Sequence, residues 1–216
     1  VENSSTGSIR QVYDLLAQYN YYVVGECQVK VEHCLAAGKA TGAPTAAVSH
    51  PQALSQCSEY LEAHGLRPIQ WSNTAAAARY VAQEAPAGVA AICSQEAARE
   101  YGLTILEEGI QNEAENTTRF ILISREAILP QDAGKISLCF ALPHVTGSLS
   151  GVLQRFAMAG LNLTKIESRP LPGRNFEYDF YLDFTGNLHQ PATLELICAL
   201  QEELPRFSFL GNYSER

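Results

Sequence analysis

Two short segments, Gly147-Ser-Leu-Ser-Gly151 and Asn162-Leu-Thr-Lys-Ile-Glu-Ser-Arg-Pro170, decide the fold of the C-terminal part of this chain. The stretch between them carries apolar residues at helical spacing. Gly147 can open a tight strand-to-helix turn, and Gly160 can end the helix in the left-handed conformation. The second segment begins as a strand, and Pro170 stops it. These features predict a helix between two strands.

Apolar periodicity over residues 135–213 predicts the order strand, helix, strand, strand, helix, strand, which is the ferredoxin-like order. Ahead of this region the pattern lapses, and Pro130 and Gly134 mark residues 125–134 as a linker. We therefore expect a separate C-terminal domain at 135–216. Its strands are expected at 135–142, 161–169, 176–184 and 207–210, and its helices at 148–159 and 191–203.

Residues 1–124 alternate between strand-like and helix-like patterns, which predicts a mostly parallel sheet with helices on its faces. Ser4 or Ser5 is expected to cap a first helix that ends near Tyr19. Residues 21–34 form one strand or two. The further strands are expected at 46–49, 67–70, 88–92, 105–108 and 117–124, the last of them buried. The further helices are expected at 51–64 and 94–101, with an alanine-rich helix between them that Asn73 or Thr74 caps.

The composition is that of an ordinary globular protein, since 46% of the 216 residues are hydrophobic and 18% are charged. The net charge of −8 and the absence of a Lys/Arg run argue against nucleic acid or an anionic membrane as a partner. The longest apolar runs have strand length, so we expect no membrane-spanning helix. The six cysteines lack CxxC spacing and the histidines lack ligand spacing. We therefore expect reduced, mostly buried thiols, no metal site and a cytoplasmic location.

Three segments of the first 124 residues resemble motifs of the prephenate dehydratase family. Val1-Glu-Asn-Ser-Ser-Thr-Gly-Ser8 resembles its ENS motif, and Ser49-His-Pro-Gln-Ala-Leu54 with Gln56 resembles its SHPQAL motif. Asn116-Thr-Thr-Arg-Phe120 resembles its TRF motif. Further on, the turn at Gly147 and the segment Glu167-Ser-Arg-Pro170 resemble two motifs of an ACT domain of the phenylalanine-sensing type. The matches follow the order of the family and together cover essentially the whole chain.

The resemblance implies an α/β fold with two subdomains around a cleft, like periplasmic binding proteins, followed by a ferredoxin-like βαββαβ ACT domain. Residues 1–124 would form the dehydratase domain, with the second subdomain at about 30–105 and the first subdomain in the remainder. The family normally begins with a further N-terminal segment that forms one wall of the cleft. We therefore expect the first subdomain to be incomplete and residues 1–216 alone to turn over little substrate.

The resemblance also implies an enzyme of phenylalanine biosynthesis that converts prephenate to phenylpyruvate, with loss of carbon dioxide and water and without a metal or organic cofactor. Phenylalanine is the implied feedback inhibitor at the ACT domain, and the implied assembly is a homodimer or homotetramer. Two alternatives remain open: an arogenate dehydratase, which acts on the amino analogue, and a non-catalytic phenylalanine-binding regulator on the same scaffold. The joint presence of three dehydratase motifs argues against the regulator.

The reaction needs a donor for the departing hydroxide and positive groups for a substrate dianion. The Thr118 hydroxyl can donate a directed hydrogen bond, so we predict Thr118 as the catalytic residue. The neighbouring Arg119 offers a bidentate fork for a substrate carboxylate. Capped helix N-termini bind anions as well. The other residues indicated as substrate-binding are Asn3, Ser4, Ser5, Thr6, Ser49, Gln56 and Thr74.

Each assignment has a structural alternative. Thr118 is a residue type that is common in strands, and Arg119 could simply pair with Glu113 or Glu115. His50 is as suited to a structural hydrogen bond as to general-acid work. Consecutive strand residues point to opposite faces, so Thr118 and Arg119 can share a site only if they lie at the mouth of the strand, where the ladder breaks up.

The phenylalanine site is expected between the ACT domains of two subunits. Backbone N–H groups at a helix N-terminus would bind the carboxylate, and apolar side chains would contact the ring. Glu167 and Arg169 would shape the bend of the strand rather than contact the ligand. The residues that the resemblance assigns to this site are Gly147, Ser148, Leu149, Asn162, Leu163, Glu167 and Ser168.

Overall fold

The computed structural model of the protein describes residues 1–4, 7–39, 42–84, 86–170 and 178–215. The chain forms two compact units, each of which has its own sheets. The middle unit is Lys30–Thr118, and the terminal unit combines Val1–Val29 with Arg119–Arg216. The chain therefore passes between the units twice, and the predicted domain boundaries at residues 124 and 135 stay a prediction.

The strands and helices alternate along most of the chain. The strands are β1 (Glu2–Asn3), β2 (Gly7–Ser8), β3 (Tyr22–Lys30), β4 (Cys34–Ala37), β5 (Ala46–Ser49), β6 (Arg67–Gln70), β7 (Val89–Cys93), β8 (Thr104–Glu108), β9 (Thr117–Ser124), β10 (Lys135–Ala141), β11 (Leu163–Pro170), β12 (Tyr178–Thr185) and β13 (Ser208–Tyr213). The helices are α1 (Arg10–Tyr19), α2 (Pro51–Gln56), α3 (Ser58–Ala63), α4 (Thr74–Glu84), α5 (Gln95–Glu100), α6 (Ser148–Met158) and α7 (Pro191–Glu203).

The middle unit is built on a five-stranded sheet with the strand order β6-β5-β7-β4-β8. β5 pairs in parallel with β6 and β7, whereas β4 pairs antiparallel with β7 and β8. The sheet is thus mixed, and the prediction of a mostly parallel sheet is wrong for this strand. Parallel neighbours need a crossover connection. β4 follows β3 without a crossover helix and enters the sheet in the opposite direction.

Helices cover both faces of this sheet, because neighbouring residues of each buried strand point to opposite sides. Leu35 and Ile92 pack with Leu54 and Leu61 on the face that α2 and α3 cover. On the other face, the residues next to them in sequence pack against α4 and α5. That second cluster includes Cys34, Val48, Ala77, Ala78, Val81, Ala91, Cys93 and Ala98.

The middle unit extends to Thr118, beyond the end near residue 105 that was predicted for the second subdomain. β8 pairs with β4, and the Ile110 backbone N–H donates to the His33 carbonyl oxygen at 3.1 Å. The Asn112 N–H donates to the Gln56 carbonyl oxygen at 2.7 Å. These bonds hold the segment after β8 against β4 and α2.

The terminal unit begins with a short hairpin in which β1 pairs antiparallel with β2. α1 begins only at Arg10, and its cap position is Ile9, without a side-chain hydrogen bond. The prediction that Ser4 or Ser5 caps this helix is therefore wrong for Ser4, which lies in the turn after β1, and Ser5 lies outside the described residues. The reason is that β1 pairs with β9 in the sheet β2-β1-β9-β3, so the residues at the start of the chain are extended rather than helical.

β9 lies inside that sheet, but its side chains are not buried as predicted. Phe120 is 48% exposed and Ile123 is 53% exposed. Together with Leu15 and Tyr19 of α1, they line an apolar groove of about 400 Å³. An apolar, β-branched run indicates a strand, but it does not tell whether another layer covers the strand's face.

The C-terminal part of the terminal unit has an antiparallel sheet with the order β11-β12-β10-β13. Its elements follow the predicted order strand, helix, strand, strand, helix, strand, and α7 has the predicted ends. The start predicted at residue 176 for the third strand lies outside the described residues. α6 and α7 cover one face, with a core of Ile136, Leu138, Phe140, Val152, Phe156, Leu182, Phe184, Leu196, Ile197 and Leu200.

The opposite face of this sheet is polar and is buried within the terminal unit. Lys135, Ser137 and Asp183 project from it, and each is less than one-tenth exposed. β13 approaches β3 so closely that a Cβ atom on Gly211 would collide with the Val23 carbonyl oxygen. The polar face is therefore packed against the N-terminal strands of the same unit.

None of the helices in the described part of the chain has the length and apolar character that crossing a bilayer requires. All six cysteines are free thiols, and four of them are buried, as the sequence predicts.

Candidate active site

Three helices of the middle unit begin at the carboxyl ends of its parallel strands. α2 follows β5, α4 follows β6 and α5 follows β7. Their N-termini are capped by side chains: His50 Nδ1 accepts from the Gln52 N–H, Asn73 Oδ1 from the Ala76 N–H, and Ser94 Oγ from the Ala97 N–H. In open α/β sheets, ligands bind at this edge. The edge holds two of the predicted substrate residues, Ser49 and Thr74.

Ser49 itself does not cap α2. It is fully buried at the end of β5, and its hydroxyl donates to the Ile92 carbonyl oxygen at 2.7 Å. The cap is His50, whose ring accepts from Gln52. Ser49 therefore does not offer a capped helix N-terminus to an anion, because this last residue of the strand faces the interior. His50 has the structural role that was its alternative.

Thr74 is the first residue of α4 and is half-buried. Asn73 supplies the cap predicted for this helix, with its Oδ1 atom 2.7 Å from the Ala76 nitrogen. The first turn of α4 therefore presents N–H groups and the positive end of the helix dipole, which suits an anion.

Gln56 ends α2 and is held by His33. The distance between His33 Nε2 and Gln56 Oε1 is 3.0 Å, and the ring nitrogen must be the donor because an amide oxygen can only accept. His33 is itself buried, and its backbone N–H donates to Gln111 Oε1 at 3.0 Å. This contact fixes the oxygen of the Gln56 amide. No sequence pattern indicated His33, because it lacks the spacing of a ligand.

Asn3 and Ser4 have different environments. Asn3 is buried in β1, paired with Gly7, whereas Ser4 is exposed. Ser5 and Thr6, the other two predicted substrate residues of this motif, lie outside the described residues. The N-terminal motif thus forms a hairpin rather than a helix cap.

Thr118 and Arg119 are neighbours within β9, and the chain passes from the middle unit to the terminal unit between them. Thr118 is half-buried. Because β9 is a continuous strand through both residues, their side chains point to opposite faces. Both residues lie at the beginning of β9, which starts at Thr117, and a site shared by the two stays a prediction.

Arg119 meets three carboxylates of the terminal unit. Its Nε donates to Glu26 at 2.8 Å, one terminal nitrogen donates to Glu2 at 3.3 Å, and the other donates to Asp183 at 2.6 Å. The side chain is only 13% exposed. These three carboxylates lie far from Arg119 in the sequence, unlike Glu113 and Glu115, which its structural alternative named as partners.

Two lysines extend this cluster. Lys135 Nζ donates to Glu26 at 2.6 Å and to Glu215 at 2.7 Å. Lys165 Nζ donates to Glu2 at 3.0 Å and to the Ser8 hydroxyl at 2.9 Å. We call the seven charged residues Glu2, Glu26, Arg119, Lys135, Lys165, Asp183 and Glu215 the ion cluster.

The pKa values of the ion cluster follow from burial and pairing. Burial alone would lower the pKa of Arg119, but the neighbouring Asp183 and Glu26 raise it above its ordinary value. Burial raises the pKa of Glu26, although Lys135 and Arg119 act in the opposite direction. Burial also acts to raise the pKa of Glu2, but Lys165 and Arg119 outweigh it and the pKa is lowered. Arg119 is thus held firmly in its charged form.

The residues predicted to bind phenylalanine lie in two places of the C-terminal sheet. Gly147 caps α6 with φ of 86°, which favours glycine, and Ser148 and Leu149 form its first turn. Ser148 also lines a cavity of about 290 Å³ together with Tyr178 and Phe180.

The other residues of that set belong to the edge strand β11 or precede it. The Asn162 carbonyl oxygen accepts from the Thr185 N–H at 2.9 Å, and Leu163 packs into the helix-covered core. Glu167 Oε2 lies 3.6 Å from Lys165 Nζ, while Ser168 is exposed. Within one chain, Ser148 begins α6, a helix about 16 Å long, and Leu163 begins the strand that follows it.

Among the described residues there is no group of three or more His, Cys, Asp or Glu side chains that could hold a metal ion.

Comparison with known proteins assigns the family. The family model described as prephenate dehydratase matches residues 1–128, which include the hairpin, the α2 and α4 N-termini and the Thr118–Arg119 strand. The chain belongs to the prephenate dehydratase family. This member of the family is 39% identical to arogenate dehydratase/prephenate dehydratase 6 of Arabidopsis thaliana over 233 residues. The match covers 99% of the chain and 56% of that protein, so the chain spans little more than half the length of the relative.

Solved structures share the fold. A prephenate dehydratase from Arthrobacter aurescens, in complex with L-Phe, has a TM-score of 0.83 and 31% identity over 96% of this chain and 71% of its own. GqqA, described as a novel type of quorum quenching acylase, has a TM-score of 0.87 and 30% identity over 100% of this chain and 80% of its own. The α/β fold with mixed sheets is therefore similar to that of solved prephenate dehydratases.

The relatives correct one prediction about this dehydratase-family chain. Several of the Arabidopsis thaliana relatives are named as chloroplastic, which contradicts the predicted cytoplasmic location. Cysteine usage, on which that prediction rested, does not distinguish reducing compartments from one another.

Proposed function

We propose that the protein to which this chain belongs is a prephenate dehydratase, which converts prephenate to phenylpyruvate with release of carbon dioxide and water. The observation that carries the proposal is the family match over residues 1–128, which contains Gln56, Thr74 and Thr118. The names of the Arabidopsis thaliana relatives also support a dehydratase of this kind.

The chemistry asks little of the protein beyond orientation and hydrogen bonding. The bond between ring carbon C1 and its carboxylate breaks, and the electron pair moves through the ring. The electron pair expels hydroxide from C4, the ring becomes aromatic, and a proton from solvent converts the hydroxide to water. In this mechanism the Thr118 hydroxyl donates a hydrogen bond to the departing oxygen. The α4 N-terminus and the amide NH₂ of Gln56 offer donors to a substrate carboxylate.

The second candidate substrate is arogenate, since the relatives carry the names of arogenate dehydratases as well as prephenate dehydratases. Prephenate and arogenate differ only in the side chain, where one has a keto group and the other an ammonium group. Steady-state kinetics on both substrates, with a polypeptide that contains this chain, separates the two by the ratio of kcat/KM. Phenylalanine binding without turnover of either substrate would favour the non-catalytic regulator instead.

We also propose that residues 135–216 act as an ACT domain that binds phenylalanine between two subunits and inhibits the enzyme, with residues 125–134 as its linker. The complex of the Arthrobacter aurescens relative with L-Phe supports this proposal. The left-handed Gly147 at the start of α6 and the cavity beside Ser148 are consistent with a small ligand there. Inhibition from this site requires that phenylalanine prefer one of two global states, with a coupling of about 1–3 kcal/mol.

Phenylalanine should bind the chain and raise its melting temperature, because a ligand that binds only the folded form stabilises it. Replacing Gly147 with valine should abolish the effect, since a β-branched residue does not tolerate φ of 86°. Replacing the exposed Met158 at the other end of α6 with alanine should leave binding unchanged. Isothermal calorimetry measures both variants, and a clean dimer that shows no heat with phenylalanine would count against the site.

A further inference from the structure

The ion cluster places Arg119 in surroundings that are poorly suited to a substrate dianion. Arg119 donates to Glu2, Glu26 and Asp183, so three carboxylates already share its charge. In the whole cluster four carboxylates stand beside three side-chain cations, which are Arg119, Lys135 and Lys165. A second negative molecule at this place would be repelled more than attracted.

The carboxylates hold Arg119 in one position. Asp183 accepts from Arg119 at 2.6 Å and from the Ser137 hydroxyl at 2.6 Å, and the Ser137 oxygen lies 2.8 Å from the Tyr213 hydroxyl. Asp183, Ser137 and Tyr213 are all buried on the polar face of the C-terminal sheet. Glu26, on the other side of the guanidinium, is buried as well and is fixed by Lys135.

We propose that Arg119 is a positioning residue and not a substrate contact, and that Asp183 is the group through which the C-terminal sheet holds it. Arg119 follows Thr118 directly in β9, so the ion cluster fixes the strand at the residue that donates to the leaving oxygen. A donor that is displaced by about 1 Å can cost about 10²-fold in rate. The assignment rests on the proposed dehydratase function.

The proposal replaces the sequence-based role of Arg119 as a carboxylate fork. Because Thr118 and Arg119 are consecutive strand residues, their side chains point to opposite faces, and the proposal gives each of them a role on its own face. Thr118 serves the reaction from one face, and Arg119 anchors the other face to Asp183 and Glu26.

Steady-state kinetics of Arg119→Lys and Asp183→Asn test this, in a polypeptide that contains the chain and turns over substrate. Lysine keeps the charge but loses the planar fork, and asparagine keeps the shape of Asp183 but loses its charge. We expect kcat, corrected for the folded fraction, to fall about 10-fold in each while KM stays within about twofold. The double variant should lose no more than the worse single variant, since both act through one contact.

The opposite pattern overturns the proposal. If Arg119 binds the substrate carboxylate, Arg119→Lys raises KM, and Asp183→Asn lowers KM because it releases the guanidinium. An unchanged kcat in Asp183→Asn overturns it equally. The matched control is Arg155→Gln. It breaks the exposed ion pair between Arg155 and Glu203, whose nitrogen and oxygen atoms lie 2.6 Å apart on the helices that cover the same sheet. This variant should leave kcat and KM unchanged.

Absence of turnover on both substrates would reject the proposed dehydratase function but would not test the positioning role of Arg119. Hydrogen exchange tests that role without turnover. In residues 1–216, Asp183→Asn should speed exchange of the β9 amides from Thr117 to Phe120 at least about 10-fold, because the anchoring contact protects them. Arg155→Gln should not change them. Unchanged exchange in a folded Asp183→Asn chain overturns the positioning role, whatever the activity.

Discussion

Replacing Thr118 with valine should lower kcat by about 10²-fold or more, because it removes a single oriented donor to the leaving oxygen. Valine has nearly the shape of threonine and is as compatible with β9. The half-buried position should therefore keep its packing, and thermal stability should change little. KM should change less than kcat, since the hydrogen bond is strongest where negative charge develops in the transition state. The measurement is steady-state turnover, on prephenate and on arogenate, by a polypeptide that contains the chain.

Two control variants sharpen the result. Thr118→Ser keeps the hydroxyl and should retain most of the activity. Thr117→Val makes the same chemical change one residue earlier, at a half-buried position on the other face of the strand, and should leave kcat within a few-fold. A Thr118→Val enzyme with near-normal kcat would remove Thr118 from the mechanism.

Element ends could be predicted wherever one residue determines them. Pro51 and Pro191 begin α2 and α7 because proline fits the first position of a helix. Gly147 and Gly160 adopt positive φ at the two ends of α6, as the sequence predicts. The strand Thr117–Ser124 has the predicted limits because β-branched and aromatic residues fill it.

The failures occur where a partner far away in sequence decides the local structure. Ser4 is a good helix cap by type, but β1 pairs with β2 and β9, so the segment becomes a hairpin. The direction of β4 likewise depends on how the chain enters the sheet, which the apolar pattern of Cys34–Ala37 does not contain. Local propensity is a weak guide against such pairing.

The candidate site divides in the same way. The resemblance indicated Gln56 and Thr118 from short motifs, but nothing local indicated His33 as the partner of Gln56. Glu26 and Asp183 lie 93 and 64 residues from Arg119. The sequence does carry one signal for them, since each is a carboxylate within an apolar strand, and such a buried charge needs a partner. It does not say which cation that partner is.

Replacing Gly211 with alanine should destabilise the terminal unit by about 3 kcal/mol or more, because β13 and β3 have no room for a methyl group there. A Cβ atom on Gly211 would collide with the Val23 carbonyl oxygen, and it would lie 3.0 Å from the carbonyl carbon and 3.2 Å from the Val23 nitrogen. These are backbone atoms of a strand, so no side chain can rotate away. The strands themselves must separate.

That separation is measurable by urea unfolding, followed by circular dichroism, together with hydrogen exchange of β3 and β13. Gly151→Ala is the matched control in the same C-terminal segment. Gly151 lies inside α6, and a Cβ atom there would meet nothing within 4 Å. The control should therefore stabilise by about 0.5–1 kcal/mol, since alanine favours a helix interior. If Gly211→Ala lowers the free energy of unfolding while Gly151→Ala raises it, the close approach of β13 to Val23, and not the loss of glycine as such, determines the result. A Gly211→Ala chain as stable as the wild type would mean that the two strands do not pack this closely.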